Sequence, residues 1–320
     1  MPTPGLLTAG PATVTWHAVV VQVRVDPFAV STDAALVALA VVYAVGLRRD
    51  PARDRASQAA IASFALGLLS LYLALGSGFA GAQHTDPSVD VAQHVLLMMV
   101  APPLIVLGRP SRAAFPLHEA FRRRPLPGSG RRGQDRSAVR SRGVAPALRA
   151  ATGVASWPLY YGSMAAYFLT AAYADSLRDA VLLDVTQVGF VAVGLLFWAG
   201  LVGSSREGFQ RSSVFRLAAV IAGMPIETAV GLALVLWPRP LAAGQTLAAT
   251  HAAGLLLWLA SMFTSGIALA VLLVQWCIAD SKRADLHDAQ TQGTHDRAVA
   301  DGLTPAIPMR SDAGGGHSRP

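Results

Sequence analysis

Val89-Asp90-Val91-Ala92-Gln93-His94-Val95-Leu96-Leu97-Met98-Met99-Val100-Ala101-Pro102-Pro103-Leu104-Ile105-Val106-Leu107-Gly108 is an apolar run whose only polar side chains, Asp90, Gln93 and His94, fall in its first half. At 1.5 Å per residue, about 20 helical residues cross the ~30 Å hydrocarbon core of a bilayer. Working outward from this run, comparable ones occur at 28–47, 59–80, 154–172, 180–202, 217–237 and 247–278. The last is longer than a bilayer requires, so its first turns, with Thr250 and His251, are placed at or above the interface. The pattern predicts an all-α, polytopic membrane protein with seven transmembrane helices.

The composition agrees. Of 320 residues 53% are hydrophobic and only 14% charged, against about 25% charged in soluble domains. Cys277 is the single cysteine, which excludes a disulfide framework and any CxxC metal or redox motif. Lys282, the only lysine, lies beyond the last run, so a retinal Schiff base within the bundle is excluded. No GxSxG, Walker A or HExxH motif supports a hydrolase or kinase, and the chain reads as a non-enzyme.

A net charge of +7 could point to nucleic acid, but the location of the charge decides otherwise. Alternate loops and the C-terminal tail hold 23 basic residues, and the opposite loops hold only Arg24, Arg178 and Arg239. By the positive-inside rule the N-terminus is outside and the C-terminus cytoplasmic. Residues 1–27 form an extracytoplasmic segment without the compact apolar core of a cleaved signal peptide, and 28–279 form the membrane domain. The loop at 111–149 is basic and Gly/Arg-rich, and 280–320 is a polar tail; both are expected to be disordered and cytoplasmic.

Ionisable groups inside a span cost roughly 2.5–3.5 kcal/mol at a helix centre, so each needs a partner or a use. Asp90, His94 and Met98 recur every four residues and share a helical face. Asp184 and Gln187 lie in the outer part of the fifth span, Glu227 follows Met224-Pro225 deep in the sixth, and His251 opens the seventh. His84 sits in a short outer loop, suited to first docking of a metal. Imidazole and thioether suit Cu(I), with a carboxylate orienting the imidazole. The candidate metal ligands are therefore His94, Asp90, Met98 and His251, supported by Asp184, Gln187, Glu227 and His84. Each has a plainer alternative: an i,i+4 pair for Asp90 and His94, packing for Met98, a proline-kink partner for Glu227, interhelical bonds for Asp184 and Gln187, an interfacial position for His251.

Ser88 to Pro110, with its histidine helix leading into Ala101-Pro102-Pro103-Leu104 and Leu107-Gly108-Arg109-Pro110, resembles the hallmark segment of the bacterial CtaG-type cytochrome c oxidase assembly family. The resemblance extends to Val25-Asp26-Pro27-Phe28, Gly194-Leu195-Leu196-Phe197-Trp198, Leu201-Val202-Gly203, Arg216-Leu217, Met224-Pro225 and Gly254-Leu255-Leu256-Leu257-Trp258. It implies a seven-helix protein of the bacterial plasma membrane that serves the respiratory chain by handling copper for a haem–copper oxidase. His94 matches the second histidine of the family's HxxxH-like pattern, but Asp90 replaces the first. Gln187 and His251 stand where the family usually has other polar residues.

The leading expectation is an assembly factor that binds or relays Cu(I) on the extracytoplasmic side, with an oxidase subunit or copper chaperone as partner and the lipid bilayer as its surroundings. The alternatives are a copper transporter, a scaffold for oxidase subunits without a metal, and a b-type haem protein using His94 and His251.

Overall fold

The structure, a computed structural model, describes residues 24–49, 56–82, 86–108, 155–202 and 212–300, and among these all regular structure of more than an isolated bridge is helical. In chain order the helices are α1 (Pro27–Arg49), α2 (Ala56–Leu75), α3 (Phe79–Ala82) and α4 (Pro87–His94). A π-helical stretch (Val95–Val100) joins α4 to α5 (Ala101–Leu107). Then come α6 (155–169), α7 (Ala172–Ser176), α8 (Ala180–Val202), α9 (Ser213–Val235) and α10 (Leu247–Ala300). The chain divides into two compact units, Met1–Leu272 and Leu273–Pro320.

Six helical segments among the described residues are long and apolar enough to cross a membrane. The remaining expected run appears as α6, whose described part is shorter than a bilayer needs. Its end is set by Thr170, whose hydroxyl donates back to the Ala166 carbonyl (2.6 Å) and accepts from the Ala172 amide (3.2 Å). The loop expected at 111–149, His84 and residues 1–23 and 301–320 lie outside the described residues. Where the sequence suggested disorder from Asp280 onward, helix continues to Ala300. The 281–300 segment contains alanines and oppositely charged neighbours such as Lys282 and Asp285 and no proline, so local helix propensity is adequate there.

The third span is the most buried of the six. It starts cleanly: Asp86 caps α4 by accepting from the Ser88 amide (2.8 Å), with Pro87 in the first turn. It does not stay α-helical. Pro102 and Pro103 have no N–H to give the Met98 and Met99 carbonyls four residues back, and the backbone widens into the π turn just before them. The freed Met98 carbonyl accepts from the Trp198 indole N–H at 2.9 Å, so α8 repairs the break. This requires close approach, and a Cβ at Gly194 would stand 2.7 Å from Pro102 Cγ and 3.1 Å from the Met98 oxygen. On its other side, α5 packs on α2, where Ser63 donates to the Leu104 carbonyl (2.8 Å).

Within the first unit the two ends of the bundle are tied separately. Tyr43 donates to the Gly108 carbonyl (2.8 Å) and Trp157 to the Ala219 carbonyl (2.9 Å) at one end. At the other, the Arg24 amide donates to Gly76 (3.0 Å), Ser88 to the Ala249 carbonyl (3.4 Å) and Gln245 to the Tyr173 hydroxyl (2.6 Å). This second end gathers the segments around 24–26, 76–82, 86–88, 170–184 and 237–250, the grouping that the charge pattern assigned to one side. In the same unit, Leu255, Leu259, Phe263 and Ile267 recur every four residues along α10 and all are exposed, an apolar stripe that hydrocarbon would cover.

A buried histidine pocket in the third span

His94 stands at the junction of α4 with the π turn and is only 2% exposed. Aromatic rings surround it. Phe190 from α8 and Phe168 from α6 meet it edge-on with centroids at 4.5 and 5.1 Å, and Tyr167 lies parallel to it at 6.3 Å. Neither ring nitrogen has a partner among the described residues. A neutral imidazole carries one donor and one acceptor, so both functions are left unused in an apolar enclosure.

Asp90, one turn earlier on α4, is also buried. Its Oδ1 accepts from the Tyr167 hydroxyl at 3.3 Å, while Oδ2 has no partner among the described residues. The Tyr167 oxygen is also within 3.2 Å of the Ser176 hydroxyl, which donates to the Tyr173 carbonyl at 2.8 Å. Gln245 donates to the Tyr173 hydroxyl, which burial pushes above its ordinary pKa, so Tyr173 stays a neutral hydrogen-bonding group. Gln187 shares the buried face of α8 with Phe190, one turn away, and both its amide atoms lack partners among the described residues. Gln93 has a structural role instead, donating to the Ala74 carbonyl at 2.7 Å.

The structure thus joins Asp90 and His94 to an aromatic wall, with Gln187 one turn from that wall. The other expected ligands are placed differently. Met98 is fully buried within the π turn, and its backbone lies against Gly194. His251 has a ring nitrogen 3.1 Å from the Trp237 carbonyl, which occupies it in tying α10 to the preceding loop. Asp184 faces Arg24 (3.9 Å), which is held mainly by Asp26 (2.6 Å). Glu227 is buried between α9 and α10 and accepts from Ser265 at 2.8 Å. Among the described residues no group of three or more His, Cys, Asp or Glu side chains is close enough to hold a metal.

Sequence reasoning missed Tyr167, Phe168, Tyr173 and Phe190, which shape the pocket. A signal for part of this set was present, since Tyr160, Met164, Tyr167 and Phe168 follow the i, i+4, i+7, i+8 spacing of one helical face and all are buried.

A helical protein with six apolar, bilayer-length helices, whose central span breaks beside a buried histidine, belongs to the membrane proteins that carry a polar site within their bundle. More specifically, the chain belongs to the cytochrome c oxidase caa3 assembly factor family (Caa3_CtaG), whose family model matches residues 41–278. No curated protein and no solved structure matches it.

Proposed function

We propose that this assembly factor serves a haem–copper cytochrome c oxidase by binding Cu(I) at His94 and passing it to an oxidase subunit, directly or through a copper chaperone. In this reading the chain spans the bacterial plasma membrane seven times, with its N-terminus outside and its C-terminus in the cytoplasm. His94 then opens toward the extracytoplasmic side, and the protein catalyses no reaction. The observation that carries the proposal is the pair of buried ring nitrogens of His94 without a protein partner among the described residues. A buried polar atom left unpaired costs roughly 1–3 kcal/mol, which a site kept for a ligand would explain. Cu(I) is the cargo, and the donors nearest in the chain are the His94 imidazole, the Asp90 carboxylate and the Met98 thioether, of which imidazole and thioether suit a soft ion.

A second reading is favoured by the lack of a three-ligand cluster among the described residues. In it the protein is a scaffold that holds an oxidase subunit and binds no metal. One titration separates the two: Cu(I) binding to the detergent-purified full chain, by competition with a chromophoric chelator, in the wild type and in His94→Ala. Binding of about one copper per chain that is lost in the variant supports the copper reading. No specific binding in the wild type overturns it in favour of the scaffold. A deletion strain with normal oxidase spectra would overturn both.

A further inference from the structure

At the end of the bundle that holds Gln245 and Tyr173, the α6–α7 turn and the loop between α9 and α10 enclose an open pocket of about 660 Å³. That volume lies within the range of roughly 300–1,000 Å³ usual for ligand sites. Its lining combines two kinds of surface. Arg178 and Arg239 supply guanidinium groups, while Phe168, Leu169, Leu241 and Trp237 supply apolar walls, and no acidic residue lines it. These are two of only three basic residues on this side of the chain, the third being Arg24. Arg178 is steadied at 3.0 Å by Asp175, which is not part of the lining, whereas Arg239 makes no ion pair with a described residue.

We propose that this pocket binds a phosphate group carried by an anionic lipid headgroup. The charge disfavours a bare metal cation as the occupant, because the lining offers it no carboxylate and Arg239, without an ion-pair partner among the described residues, repels it. Guanidinium forks match phosphate oxygens in geometry and charge. The apolar wall separates a lipid from free phosphate, because a small hydrated anion gains nothing from Phe168, Leu169 and Leu241, while the glycerol and first acyl carbons of a lipid do. The location agrees, since the pocket sits where apolar spans end, the depth at which headgroups, tryptophan and arginine meet. Phe168 is a wall of this pocket and also touches the His94 ring at 5.1 Å, so bound lipid and the histidine pocket share one side chain.

The test uses the full chain in detergent, titrated with short-chain phosphatidylglycerol or phosphatidylcholine, with bound lipid counted by native mass spectrometry. The wild type is expected to bind phosphatidylglycerol in preference to phosphatidylcholine. Arg239→Gln and Arg178→Gln should each weaken that binding roughly fivefold, as expected for one guanidinium near an anionic headgroup. The double variant should lose the preference, whereas Arg48→Gln, in a helix end tied to the other end of the bundle, should keep it. Both pocket arginines are exposed, so neither substitution disturbs the core. Equal binding by wild type and double variant would overturn the proposal, as would an equal loss in Arg48→Gln. Displacement by inorganic phosphate at the same concentration would overturn the lipid assignment and leave a site for the free anion.

Discussion

His94→Leu exchanges an imidazole for an apolar side chain of similar volume at a position that is 2% exposed. The wild-type ring holds two buried nitrogens without protein partners, each expected to cost roughly 1–3 kcal/mol. Leucine removes both penalties. It also forfeits the edge contacts with Phe168 and Phe190, worth roughly 0.5–1.5 kcal/mol apiece. The balance is a net stabilisation of about 1–3 kcal/mol, the direction expected when a side chain is kept for function at the expense of the fold. At roughly 2–4 °C per kcal/mol, the apparent Tm in detergent should rise by about 2–12 °C. The assay is a thermal melt of both proteins, repeated with excess Cu(I). If copper binds at His94, saturation to 100 times Kd should raise wild-type stability by about 2.7 kcal/mol and leave the variant unchanged. A variant that melts below the wild type would refute the reasoning, because the imidazole would then be in structural use.

Two further perturbations test the frame around the pocket. A Cβ at Gly254 would lie 2.7 Å from the Val235 amide nitrogen and 2.8 Å from the Gly231 oxygen. Gly254→Ala must therefore part α9 from α10, and should lower stability by roughly 1–3 kcal/mol, read as a fall in Tm. Asp26 caps α1 through the Ala29 amide (3.0 Å) and pairs with Arg24. Partial burial opposes ionisation there, but the amide and the guanidinium outweigh it and hold the carboxyl below its ordinary value of 3.8. The stabilisation is therefore present in full above that value and is lost as pH falls through the lowered one. Wild type should melt above Asp26→Asn at about pH 6, with the gap closing toward about pH 3; a gap independent of pH would show that charge at Asp26 contributes nothing.

Much of this protein is legible without coordinates. Apolar runs of bilayer length, a charged fraction of 14% and basic residues gathered in alternate loops define a helical membrane protein, because hydrocarbon admits little else. The Ala101-Pro102-Pro103-Leu104 exit and His94 single out the third span, and the family match over 41–278 agrees with that reading. Asp90 and His94 do share a pocket, since both lie on α4 before the break, where four-residue spacing keeps them on one face.

What the sequence could not decide was which side chains meet across helices. Tyr167 and Asp90 are 77 residues apart, and Gln245 and Tyr173 are 72 apart, yet both pairs are hydrogen-bonded. His251 turns to the Trp237 carbonyl, and the third span departs from α-helical geometry around Met98, where two prolines open a π turn whose freed carbonyl Trp198 satisfies. The physical reason is the solvent. A helix in water advertises its buried face by a polar face opposite, whereas a helix in lipid is apolar all round and hides its rotation. That rotation is set by close contacts such as Gly194 on Pro102 and Gly254 on Gly231, which exist only once the helices have packed.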